Sequence, residues 1–169
     1  MNKGWKYFLL PLISISGIAC NSEADVREID LEKSEHIIDY VDQLNLSTLV
    51  LNDQNLIINY TLILINPDSL KRPLFHKYQV SMEEWELKRE VPAGTLENLL
   101  SLLNESGNNR VVKEKEAYFF KEGGWIDSDF GKVYSKQQLT GKAKDFKFDR
   151  VQEIKPIGDR ENWYVYYAD

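Results

Sequence analysis

The chain reads as one α+β domain, with helices packed on one face of a mainly antiparallel sheet. Three observations predict it. The last third alternates β-branched and aromatic residues with polar ones, and glycines punctuate it, as antiparallel strands require. Two earlier stretches carry apolar residues at helical spacing behind N-capping residues. About 150 residues follow an N-terminal leader, a length typical of a single domain with its own core.

The leader comprises residues 1–19. Lys3 and Lys6 make a positive start, an apolar stretch runs over 7–15 broken only by Pro11 and Ser14, and small residues Ser16, Gly17 and Ala19 close it. That is the pattern of a secretory signal peptide. It is shorter than the roughly 20 apolar residues a spanning helix needs.

Gly17-Ile18-Ala19-Cys20 resembles the lipobox of bacterial lipoproteins, with Gly17 standing where the usual pattern has leucine. The resemblance implies cleavage before Cys20 and a diacylglyceryl group on its thiol. Cys20 is the one cysteine in the chain, so no intramolecular disulfide forms. Two or more acyl chains anchor a protein stably where one does not. In such lipoproteins an Asp after the cysteine retains the protein at the inner membrane. Asn21 stands there instead, which points to the outer membrane in a host with two membranes. The expected location is the cell envelope, facing the periplasm or exterior.

Residues 20–33 are then the lipidated cysteine and an acidic, solvated tether, with the frayed start of a helix as the alternative reading of 21–33, and 34–169 the folded domain. Ser34 is the expected N-cap of a helix over 34–44, with Ile37, Ile38, Val41 and Leu44 on one stripe. Residues 47–52 and 55–65 read as a hairpin whose second strand is apolar on both faces over 62–65. Asn66-Pro67-Asp68 ends it as a turn. Ser81 and Glu84 have capping-box spacing ahead of a short helix to about Arg89, stopped before Pro92, with an amphipathic strand as the alternative. Thr95 is the expected cap of a clearer helix carrying Leu96, Leu99, Leu100, Leu102 and Leu103, closed by Gly107. Strands are expected at 111–121, 130–135, 145–153 and 162–168, the last two as a hairpin. Phe146, Phe148 and Val151 point inward there, with either Trp163, Val165 and Tyr167 or their complement.

The net charge is −6, and −8 once the two leader lysines are gone. That balance argues against nucleic acid as a partner and against a polybasic grip on anionic lipid. No cofactor or metal site is expected. Asp127-Ser128-Asp129-Phe130-Gly131 departs from a calcium loop at the fifth, sixth and twelfth positions and reads as a turn. His36 and His76 are the only imidazoles, too few for zinc once Cys20 carries lipid. There is no nucleophile elbow, no S-x-x-K and no phosphate-binding glycine loop. Paired carboxylates are set in space and stay open as an enzymatic alternative.

Aromatics are the remaining surplus. Trp163-Tyr164-Val165-Tyr166-Tyr167 must place rings on both faces of its strand. Either both faces are covered, or Trp125, Trp163, Tyr164 and Tyr166 form a binding face, since Trp and Tyr are enriched in interface hot spots. The expected function is a lipid-anchored, non-catalytic domain that binds a protein partner. An immunity-type inhibitor of an exported toxin, or a carboxylate-based glycan or peptide hydrolase, are the alternatives.

Overall fold

The computed structural model describes residues 28–52, 55–65, 79–125 and 128–169. The leader, Cys20, the 66–68 turn, His76 and Asp127 lie outside them. The elements in chain order are α1 (Glu28–Gln43), β1 (Thr48–Asn52), β2 (Asn55–Ile58), β3 (Thr61–Leu64), β4 (Gln79–Ser81), α2 (Met82–Arg89), α3 (Thr95–Ser106), β5 (Arg110–Glu114), β6 (Ala117–Trp125), β7 (Ser128–Ser135), β8 (Val151–Pro156) and β9 (Trp163–Ala168). The strands form one sheet in the order β4-β3-β2-β1-β5-β6-β7-β9-β8. Every pairing is antiparallel except β3 with β4. The α+β class is as the sequence predicts.

Strand β6 shows how the core is divided. Tyr118 and Phe120 point to one side, Ala117 and Phe119 to the other, and all four are buried. The first side is the helix face. Leu31, Ile37, Ile38 and Val41 of α1, Trp85 of α2, and Leu96, Leu99 and Leu103 of α3 pack there with Leu49, Leu56, Ile63, Val111 and Phe120. The opposite face, under β6, β7, β9 and β8, is closed by the connection before β8. Leu139, Ala143, Phe146 and Phe148 lie over Phe119, Val133, Tyr164 and Tyr166. A strand buried on both faces reads as a continuous apolar run, as Ala117–Phe120 does.

Several boundaries differ from the sequence reading. Helix α1 begins at Glu28, so the end of the expected tether follows its alternative reading, a helix start, because Leu31 extends the apolar stripe by two turns ahead of Ile38. Ser34 is therefore buried within the helix, accepting a hydrogen bond from Asn108 Nδ2 at 3.0 Å, and is not a cap. The run 55–65 is two strands, split by a turn at Asn59-Tyr60. The run 111–121 is likewise divided at Lys115-Glu116. Residues 143–145 and 148–150 are 3-10 turns, so β8 starts only at Val151. Phe146, Phe148 and Val151 are nonetheless buried as expected.

Ser81 does cap α2, its hydroxyl accepting from Glu84 N at 3.1 Å. At α3 the cap position is Gly94, with Thr95 the first helical residue and Gly107 closing the helix at φ 70°.

Candidate functional site

Helix α1 crosses the ends of β6, β7 and β9. Two hydrogen bonds fix that placement. Asp42 accepts from the Tyr118 hydroxyl on β6, at 2.6 and 2.8 Å to its two oxygens. Glu35 accepts from the Trp163 indole N–H on β9, at 3.0 Å. Seven helical residues rise about 10.5 Å, and two strand spacings are about 9.6 Å. The helix therefore runs across the strands, two turns spanning β6 to β9.

Between those strands lies Tyr134 of β7, in register with both Tyr118 and Trp163. The three rings form a row, with centroids 6.2 Å apart for Tyr118–Tyr134 and 5.2 Å for Tyr134–Trp163. Along this row opens a groove of about 540 Å³, lined by Glu32, Glu35, His36, Asp39 and Asp42 of α1 and by Tyr118, Tyr134, Glu116, Lys136 and Gln137 across it. A second recess of about 380 Å³ shares Glu32 and Glu35 and adds Asp159, Arg160, Glu161 and Trp163. The two make one surface with an aromatic floor and mostly carboxylate walls.

The electrostatics follow from this arrangement. Burial alone raises the Asp42 carboxyl, but hydrogen bonds from Lys113 and Tyr118 and the charges of Lys113 and Lys136 outweigh it, so it lies below its usual range. Asp42 is held as a carboxylate, bridged to Lys113 Nζ at 2.7 Å. The Tyr134 hydroxyl is raised, first by burial and then by Glu35, Asp39 and Glu161. It stays protonated and available as a donor. The carboxylates meet the Tyr118 and Trp163 rings at their polar edges, Lys113 Nζ already lies 5.2 Å from the Tyr118 ring centroid, and Tyr134 is the ring of the row left partly exposed. Carboxylates beside that ring suit an ammonium or guanidinium group, which gains ion pairing and attraction to the ring quadrupole.

The expected aromatic face is only partly at this surface. Trp163 lies beneath the groove, 2% exposed, with its N–H bound to Glu35. Tyr164 and Tyr166 are not outward. Both are buried in the second core, because the 139–150 connection covers that side of β9. Trp125 ends β6, and its side chain lies outside the described residues. His36 is exposed on α1 and borders the groove. Among the described residues no group of three or more His, Cys, Asp or Glu is placed to hold a metal ion.

Tyr118, Tyr134 and the α1 carboxylates escaped the sequence reading, although one signal was present. Glu32, Glu35, Asp39 and Asp42 fall at spacings of three, four and three, which puts them on one face of a helix. No protein family, curated protein or solved structure matches this chain.

Proposed function

We propose that the protein is a lipid-tethered binding domain of the cell envelope, and that the groove between α1 and β6–β7 receives a basic segment of a protein partner. The α1 carboxylates ranged along the Tyr118–Tyr134–Trp163 row, with Tyr134 partly exposed between its buried neighbours, are the observation that carries this. Pockets with an apolar floor and a few convergent polar groups are the usual form of a binding site, and complementary charge speeds and selects encounter. A basic exported toxin is one partner of this chemistry, and its neutralisation would be the biological use. For the hydrolase alternative, Asp42 is not placed as a general acid, since that role needs a raised carboxyl and Asp42 is shifted the other way and tied to Tyr118 and Lys113.

Calorimetric titration with tetra-lysine and tetra-arginine, against an uncharged tetrapeptide, tests the groove. Selective binding of the cationic peptides, lost in Glu35→Gln/Asp39→Asn and weakened by salt, is expected. Equal binding of the uncharged peptide, or indifference to the double substitution, would sink the proposal. The anchor is tested separately by the intact mass of the mature N-terminus. An unmodified Cys20 there would remove lipid from the account.

A further inference from the structure

The β2–β3 turn carries the most exposed large apolar side chain among the described residues. Tyr60 is 87% exposed and sits at φ 68°. Asn59 before it sits at φ 47°. Ile58 pairs with Thr61, so these two residues are the whole loop. A tight hairpin of this kind needs left-handed backbone at both positions, for which Asn-Gly is the favoured pair. Asparagine fits at 59. A bulky aromatic at 60 is an outlier, because an L side chain in that region is crowded by its own backbone. The exposed ring does not recover that cost by packing within the fold.

The turn is also fastened in place. Asn59 Oδ1 accepts from Ser47 N at 2.7 Å, Ser47 Oγ at 3.0 Å and Thr48 N at 3.1 Å, while its Nδ2 donates to Asn45 O at 3.3 Å. Tyr60 is thus presented on a fixed backbone, tied to the connection between α1 and β1. Ser47 O in turn accepts from Lys113 N, and Lys113 pairs with Asp42 at the end of the groove. Three strand spacings separate β2 from β6, about 14 Å, or about four residues of extended peptide.

We infer that Tyr60 is a second anchor for the partner that occupies the groove. The partner places its cationic residues against Tyr134 and the α1 carboxylates, beyond Tyr118, which Lys113 already covers, and an apolar side chain at least about four residues away against the Tyr60 ring. This rests on the groove being the binding site. A preorganised aromatic loses little freedom on binding, which is why such residues dominate interfaces.

The test uses the full chain purified from membranes in detergent, titrated with three peptides. Tetra-lysine reads the groove alone. Lys-Lys-Lys-Lys-Gly-Gly-Leu-Leu and its reversed sequence read the groove plus Tyr60. One of the longer peptides is expected to bind about fivefold more tightly than tetra-lysine, a gain typical of one modest apolar contact. That gain should vanish in Tyr60→Gly, survive in Tyr60→Phe, and persist in Glu35→Gln even as all three peptides weaken. Tyr60→Gly leaves the favoured Asn-Gly turn, so the variant folds. No gain in the natural chain, or a gain that survives Tyr60→Gly, overturns the inference while tetra-lysine binding leaves the groove standing. Failure of tetra-lysine to bind removes both.

Discussion

The indole N–H of Trp163 donates to the carboxylate of Glu35 across 3.0 Å of space and 128 positions of sequence. This bond joins the last strand to the first helix and sets the height of α1 above the aromatic row.

Its energetic role depends on what replaces Glu35. Glutamine keeps an acceptor oxygen for the indole, whereas alanine leaves the N–H of a 2%-exposed ring without its partner. Leaving such a donor unsatisfied costs about 1–3 kcal/mol. Glu35→Ala should therefore lower the unfolding free energy by at least about 1 kcal/mol, and Glu35→Gln by clearly less. Urea denaturation followed by tryptophan fluorescence measures both. Equal losses in the two variants would show that the bond does not hold α1.

Acid should loosen the same end of the domain through Asp42. Its folded pKa lies below the usual value, so the unfolded state takes up the proton first. The stability it contributes is full above about pH 5 and drains as pH falls below about 4, through the lower folded value. Tyr118 and Lys113 are both raised, Tyr118 by burial and then Asp42, Lys113 chiefly by its hydrogen bond to Asp42. Their contribution is complete below about pH 10 and is lost as pH rises through the folded values. The destabilisation caused by Asp42→Asn should therefore be larger at pH 7 than at pH 3. Urea midpoints at the two pH values decide it, and a pH-independent difference would remove Asp42 from the acid response.

These relationships show what was legible in the sequence. The class was, because helical and strand periodicities are local, and so were the caps at Ser81 and Gly107. The sheet hairpins were partly hidden, because Asn59-Tyr60 and Lys115-Glu116 lack the glycine that usually announces a tight turn. Tyr164 and Tyr166 could not be assigned a face. What buries them is a stretch of 3-10 turns around Phe146 and Phe148, which has the alternation of a strand without its geometry. The groove was illegible for a related reason. Its floor is a row across three strands, and rows across a sheet depend on register, which the sequence of any one strand does not specify.

Glu86 offers a sharper test of how α2 and α3 are joined. Helix α3 has glycine at its N-cap and no side-chain cap of its own. The buried Glu86 of α2 takes that role, its Oε1 accepting from Leu96 N at 2.7 Å and its Oε2 from Gly94 N at 3.2 Å. A carboxylate at a helix N-terminus also faces the positive end of the helix dipole. Glu86→Ala leaves these N–H groups without their acceptor and should cost about 1–2 kcal/mol, the range for losing a cap. Hydrogen exchange should locate the loss in the first turn of α3. Unchanged protection at Leu96 would refute the assignment.

Gly131 carries the most severe prediction, because two demands meet at one atom. Strand β7 passes β6 there with Gly131 opposite Lys121, and Gly131 is also opposite Tyr166 of β9. A Cβ on Gly131 would lie 1.9 Å from the Phe120 carbonyl oxygen and 2.9 Å from the Tyr166 ring. The ring could turn aside only by leaving Phe119 and Phe148, whose centroids lie 5.5 and 5.7 Å away. The carbonyl could move only by shifting the backbone of β6. Both routes break the second core, so Gly131→Ala should exceed the roughly 1–3 kcal/mol typical of overpacking. Loss of the cooperative unfolding transition, or a Tm lower by at least about 8 °C, is expected. A variant with the melting curve of the natural chain would mean that β6 and β7 do not approach this closely, and that Tyr166 is not seated over Gly131.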